Sequence, residues 1–380
     1  MSPLTLHRRK LLGAAASAAI GAVAPVWAQG SGSAGALRSP TLVQIADMSA
    51  GQIDVSKDFM VGMRSAWQDI NARGGLRGKT MGLQTFEVDG TGNSLRNAFD
   101  FLRSQPNVLA VVGSVGDKVA ASMVDILRRE MPDMAHVAPW LQNFKSETAD
   151  NTFAIFASRR EQIVYAVKSL SSMTVTEIGA VYASAAEFAN YKDEVDAVAG
   201  LLKLRVTTYG PSADLTQLGN SLSATSPRIL LFLGGTPELL QFSQGIDKQA
   251  MQRYIVAMAD VNLNVLQQMG LSRHAQVIAT QVVPMVNSSL AVVRAYRETL
   301  GRLYDEPPTP HSLSGYIAAR YTYEVLHSMD APINRANTLL AFQRRNIMDL
   351  GGLRVDPGQR RSGNAFVTQS MIAADGRIVG

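Results

Sequence analysis

From residue 41 onward, short apolar runs alternate with longer stretches whose apolar positions recur every third or fourth residue. The runs at 41–46, 81–88, 108–113, 178–182, 229–233 and 277–280 are brief and rich in β-branched residues, which predicts buried strands. Between them, 55–73, 95–104 and 119–130 carry a helical period, and Asp117 stands where a cap is needed for the last. Strands alternating with helices predict parallel sheets covered on both faces. The units are too many for one sheet, so the pattern predicts an α/β protein of two doubly wound lobes. Sheets of this kind bind ligands beyond the carboxyl ends of their strands.

The first 28 residues read differently. A basic start, His7-Arg8-Arg9-Lys10, precedes an apolar stretch from Leu11 to Val26, and Val26-Trp27-Ala28 places small residues where a signal peptidase cuts. The stretch is rich in alanine and glycine, contains Pro25, and is too short for a membrane span. Arg8-Arg9-Lys10-Leu11-Leu12 resembles a twin-arginine export signal, with leucine where phenylalanine is common; an ordinary secretory signal is the alternative. Gln29 follows the expected cut, where a lipid anchor would need cysteine, so the expectation is a free periplasmic protein. Residues 29–38 read as a flexible linker.

Composition narrows the function classes. With the three cations of the export segment removed, the formal charge of +5 falls to +2, and no basic stripe suited to nucleic acid remains. Cysteine is absent, which excludes disulfides, thiolate metal sites and cysteine nucleophiles. The five histidines show no metal spacing and no serine elbow of the G-x-S-x-G type occurs, so no metal, no cofactor and no enzyme activity is expected. Two glycine motifs are decoys. Residues 30–35 fit G-x-G-x-x-G but follow no strand and open no helix. The stretch Gly74-Gly75-Leu76-Arg77-Gly78-Lys79-Thr80 has Arg73 where a phosphate loop needs glycine, and leads from a helix into a strand, the reverse of the required order.

Several stretches resemble the leucine/isoleucine/valine-binding family of periplasmic solute receptors. The most specific runs from Gly62 through Ala66-Trp67-Gln68-Asp69-Ile70-Asn71-Ala72-Arg73-Gly74-Gly75-Leu76-Arg77-Gly78, similar to the family's first helix and the turn after it. Asn71 and the glycines are expected to end that helix in positive-φ conformations. Asp89, Val111-Val112-Gly113-Ser114, residues 153–162, Thr280-Gln281-Val282-Val283-Pro284, residues 312–320 and Asp349-Leu350-Gly351-Gly352 extend the similarity in order along the chain.

The resemblance implies a type I periplasmic binding protein fold, two lobes joined by three crossovers, with a solute held between them. It implies a first lobe of 39–156 plus 285–340 and a second of 157–284 plus 341–380. It implies a monomeric receptor handing an amino acid or other small carboxylate-bearing solute to an ABC permease, or a sensor presenting its bound state to a membrane receptor or kinase. By position, the ligand contacts fall at Ser114, Val115, Gly116 and Asp117 in the first lobe and at Ala157, Ser158 and Arg159 in the second, with Gln162 one turn on. Asp117 departs from the family's hydroxyl-rich run; it either receives an amine or caps its helix. Arg159 either grips a carboxylate or is a solvated charge. Trp140, Tyr182, Phe188 and Asp260 are the expected cleft walls, each aromatic having core packing as its alternative. His136, in an apolar stretch, reads as a core histidine.

Overall fold

The computed structural model describes residues 39–142, 149–172, 175–249, 251–357, 366–373 and 376–380. The expected export segment and linker lie outside these residues.

The first sheet is built from β1 (Thr41–Asp47), β2 (Gly82–Val88), β3 (Val108–Val112), β4 (Ala135–Val137) and β5 (Thr152–Phe153), with α1 (Ile53–Ala72), α2 (Gly92–Ser104) and α3 (Asp117–Glu130) as crossovers. Its order is β2-β1-β3-β4-β5, all parallel. β1, β3, β4 and β5 are buried on both faces, as a parallel sheet requires, while the edge strand β2 buries only Val88 fully. Along β1, Leu42 and Ala46 face one apolar cluster while Val43 and Ile45 face another.

The chain then enters a second lobe through α4 (Arg159–Ser172), β6 (Glu177–Tyr182), α5 (Ala185–Leu201), β7 (Arg205–Tyr209), α6 (Leu215–Ser221), β8 (Ile229–Leu233), α7 (Thr236–Ile246), β9 (Arg253–Ala257), α8 (Leu263–Gln268) and β10 (Ala275–Gln281). The same alternation recurs: on β8, Leu230 and Phe232 pack to one side, Leu231 and Leu233 to the other. Each such side chain, fully buried, contributes about 1.5–3 kcal/mol.

α9 (Ala291–Leu303), α10 (Pro310–His327) and α11 (Arg335–Gln343) return to the first lobe, followed by the hairpin of β11 (Met348–Asp349) and β12 (Arg354–Val355). α1 and α10 approach until their backbones touch. A Cβ on Gly62 would overlap the Ser312 carbonyl, and one on Gly315 the Phe59 carbonyl. β13 (Thr368–Ile372) and β14 (Ile378–Val379) then close the second sheet antiparallel, giving the order β14-β13-β10-β9-β8-β6-β7.

Two expectations need correction. Residues 341–355, assigned above to the second lobe, pack with the first: Leu350, Leu353 and Val355 join its core and the Phe342 ring lies against Phe153 and Tyr321. Asn71 does not take a positive φ; it stays helical, and its amide exchanges two 2.9 Å hydrogen bonds with the Met81 backbone, fixing where β2 begins. Gly74, Gly75 and Gly78 do turn through positive φ, with Arg77, and Leu76 bridges Lys79. The stretch is a turn.

The three crossovers run side by side. Ala154, Ile155 and Phe156, then Val282 and Val283, then Leu353 to Asp356, line one small void of about 40 Å³ between the lobes.

Candidate functional site

In the first sheet, the connection from β1 leads to β2 on one side and that from β3 leads to β4 on the other, so the ends of β1 and β3 flank a crevice. The second sheet reverses direction in the same way between β6 and β8. A cavity of about 120 Å³ opens where these two switch points meet. Gly51 and Gln52 after β1 and Asp117 after β3 come from the first lobe. Ala183, Ser184 and Glu187 after β6, Gly234, Gly235 and Glu238 after β8, Asp260 after β9 and Arg159 opening α4 come from the second. This is where a doubly wound sheet presents loops and helix N-termini to a ligand.

Arg159 is only 2% exposed, and Asp260, 6% exposed, takes its guanidinium in a short ion pair. Glu187 lies 3.7 Å from the same group, and the Tyr191 ring packs 5.4 Å from its centre. Burial alone disfavours the Arg159 charge, but Asp260 and Glu187 outweigh it and hold the side chain protonated. Its Nε and Nη1 atoms are buried without a hydrogen-bond acceptor. Burial raises the Glu187 carboxyl above its ordinary range; Arg159 pulls it back, while Asp260, Asp117 and Glu238 push it further up.

Of the residues singled out from sequence, the structure brings Asp117, Arg159 and Asp260 to the cavity. The others sit behind it. Ser114 is fully buried with its hydroxyl 2.5 Å from His136 Nε2. Val115 and Ala157 belong to the first core, and Gly116 (φ 97°) lets α3 start against Asp47, whose side chain any Cβ there would overlap. Ser158 is absorbed in capping α4: its hydroxyl donates to Glu161 Oε2 at 2.9 Å and its own N–H to the same oxygen at 2.8 Å. Tyr182 and Phe188 pack edge to face beneath the second lobe's surface, 5.3 Å apart. Trp140 packs edge-on or tilted among Phe59, Phe156 and His311, yet its Nε1–H reaches across to donate to Asp260 Oδ1 at 3.2 Å.

Sequence reasoning missed Gly51, Gln52, Ala183, Ser184, Glu187, Gly234, Gly235 and Glu238. The available signal was positional: each stands within a few residues of a strand's carboxyl end. It was not used because loop residues have no periodicity to mark them.

Further contacts tie the lobes together around the cavity. Asn262 Nδ2 donates to Asp58 Oδ2 at 3.0 Å, and His311 Nε2 lies 2.7 Å from the Ala259 carbonyl. Gln162, fully buried, donates to Gln142 Oε1 at 2.7 Å and accepts from Ala259 N and Thr280 Oγ1. Burial raises the Asp58 carboxyl, against the pull of His311.

Two mostly parallel sheets with one cavity at both switch points define a two-lobed solute-receptor architecture of the type I periplasmic binding protein fold. The chain belongs to the Periplasmic binding protein family, which it matches over residues 41–375. No curated protein sequence matches it. Among solved structures it is similar to an extracellular ligand-binding receptor from Verminephrobacter eiseniae, with a TM-score of 0.81 and 18% identity over 90% of this chain and 100% of that one. A branched-chain amino acid transporter substrate-binding protein from Streptococcus pneumoniae, in complex with isoleucine, aligns at TM-score 0.75 and 13% identity over 90% and 98% of the two chains. A fatty acid ABC transporter substrate-binding protein from Thermomonospora curvata aligns at 0.78 and 14% over 90% of each. The family and fold are those of solute-binding receptors. Among the described residues, no helix is long and apolar enough to cross a membrane.

Proposed function

We propose that the protein is an exported receptor that captures a small amine-bearing solute, an amino acid or close relative, between its lobes and delivers it to an ABC permease. The observation that carries the reading is the cavity itself, lined from both lobes at the switch points of both sheets. Closing such a cleft removes the solute from water and brings groups from two rigid bodies onto it. No bond need be made or broken.

The carboxylate clamp expected at Arg159 is replaced in this proposal. Asp260 already holds that guanidinium, and the remaining lining side chains with charge are acids. An ammonium is the ligand group they suit best, since a carboxylate there would meet like charge. Residues 1–28 supply export in this reading, and the isoleucine-bound neighbour is the precedent for an amino acid in this fold.

A thermal-shift screen of the purified protein against amino acids, amines and dicarboxylates tests it. A ligand selective for the folded state, present at a hundred times its Kd, stabilises by about 2.7 kcal/mol and raises the melting temperature. At least one amine-bearing compound is expected to do so. Turnover of a candidate solute, abolished by a substitution in the cleft, would instead make the protein an enzyme.

A further inference from the structure

Four carboxylates line the cavity, Asp117, Glu187, Glu238 and Asp260, against one cation, Arg159. Part of this acidity has an ordinary explanation. Asp117, Glu187 and Glu238 each occupy the first turn of a helix, α3, α5 and α7, whose N-termini converge on the cavity. Each helix end carries roughly half a positive charge, so the three offset about one and a half carboxylates, and Arg159 offsets one more; the N-termini of α1 and α4 also reach the cavity, at Gln52 and Arg159, but carry first-turn acids of their own, Asp54 and Glu161. More than one negative charge is left over. The helix ends, which in an open sheet would receive a ligand's anion, are already answered by the protein's own acids.

The unpaired atoms point the same way. Glu187 Oε2 is buried with no donor within hydrogen-bond distance, its nearest cation being Arg159 Nη1 at 3.7 Å. Among the described residues no hydrogen bond or salt bridge engages Glu238. Its carboxylate lies over Gly235, where a side chain would crowd it, and faces Gly51. Arg159, nearly fully buried, offers Nε with no acceptor and Nη1 with only the long 3.7 Å contact to Glu187, which calls for an oxygen close to the cation site.

Taking the cavity as the solute site, we propose that its ligand is a small organic cation that also carries an oxygen acceptor. Asp117, Glu187 and Glu238 hold the cationic group, and Arg159 donates to the oxygen. Glu238 faces Gly51 of the first lobe, and Asp117, which accepts from Gln142 N at 2.8 Å within the first lobe, lines the same cavity, so a cation held by both draws the two lobes together. A basic amino acid and an amino alcohol both meet this description; a branched-chain amino acid, whose single ammonium is balanced by its own carboxylate, leaves the excess charge unanswered.

Calorimetric titration of the purified protein with arginine, lysine, ethanolamine, isoleucine and glutamate decides it. At least one of the three cationic probes is expected to bind about ten-fold or more tightly than isoleucine and glutamate, the effect of one charge-assisted contact. Glu238→Gln should weaken that cation about ten-fold, with an unchanged melting temperature showing that the fold is intact. Asp117→Asn serves as the second variant if Glu238→Gln shifts the melting temperature. Isoleucine or glutamate binding as tightly as every cationic probe overturns the charge assignment and leaves the receptor reading standing. Cation binding that neither variant weakens overturns the assigned residues, and no heat from any of the three cations overturns the proposal, whereas failure of the wider thermal-shift screen would remove the receptor reading itself.

Discussion

The two residues whose surroundings carry most of the electrostatics are Arg159 and His136. Arg159 is stable in its buried position because Asp260 compensates it, and removing one partner of a buried pair leaves an unanswered charge. Asp260→Asn, which keeps an oxygen for Trp140, should cost about 3 kcal/mol in urea unfolding, at the low end of the usual range because Glu187 remains 3.7 Å away. Arg159→Met in the same chain should recover part of that loss; an additive double variant would show the two side chains to be independent. His136 differs in sign. Burial pushes its imidazole down to about 3, while in the unfolded chain it titrates at its ordinary value, about 6.5. The unfolded state therefore binds the extra proton between these values, and stability falls as pH drops from about 6.5 towards 3, by at most about 1.4 kcal/mol per pH unit. His136→Gln should flatten that slope; an unchanged slope would place the acid sensitivity elsewhere, though not at Asp58, whose raised carboxyl binds its proton more readily in the folded state and so stabilises as pH falls. Sequence alone placed both residues near the right surroundings, His136 in the core and Arg159 at the cleft. It left Arg159 between a clamp and a solvated charge, because its partner Asp260 is 101 positions away and only the fold brings them together.

At the scale of elements, the legible part of the chain was the part with period. The runs at 41–46, 81–88, 108–113 and 229–233 correspond to β1, β2, β3 and β8 within a residue or two. β4 and β5 were missed because strands of three and two residues have no pattern to detect, and β7 because as an edge strand it is largely exposed and mixes polar residues throughout. The hairpin β11–β12 was marked only by the family resemblance at Asp349-Leu350-Gly351-Gly352, and its lobe depends on Phe342, Leu350 and Leu353 finding a distant core. The contact of α1 with α10 is the element-level feature most exposed to substitution. Gly62→Ala or Gly315→Ala places a methyl against a backbone carbonyl of the other helix and must push the helices apart. Each should lose about 1–3 kcal/mol or more, the range of overpacking, read as a lowered denaturant midpoint. Gly301→Ala, where a Cβ meets nothing, is the control that should cost little and gain helix propensity.

At the scale of the molecule, the lobes meet through few but directional contacts: Trp140 to Asp260, Asn262 to Asp58, His311 beside the Ala259 carbonyl, and the Gln162 network. These are polar, and the Trp140 contact ends on a residue that lines the cavity, so the proposed closure on a solute would form it in the same step. Trp140 reports on that step, since its indole N–H ends on a carboxylate that lines the cavity. The most direct test of the central claim is a fluorescence titration of the purified protein with whichever solute raises its melting temperature. A saturable change in tryptophan emission is expected, with the midpoint of the calorimetric titration, and it should be lost in Trp140→Phe. A solute that stabilises the fold and leaves the Trp140 emission unchanged would bind away from the cleft and contradict it.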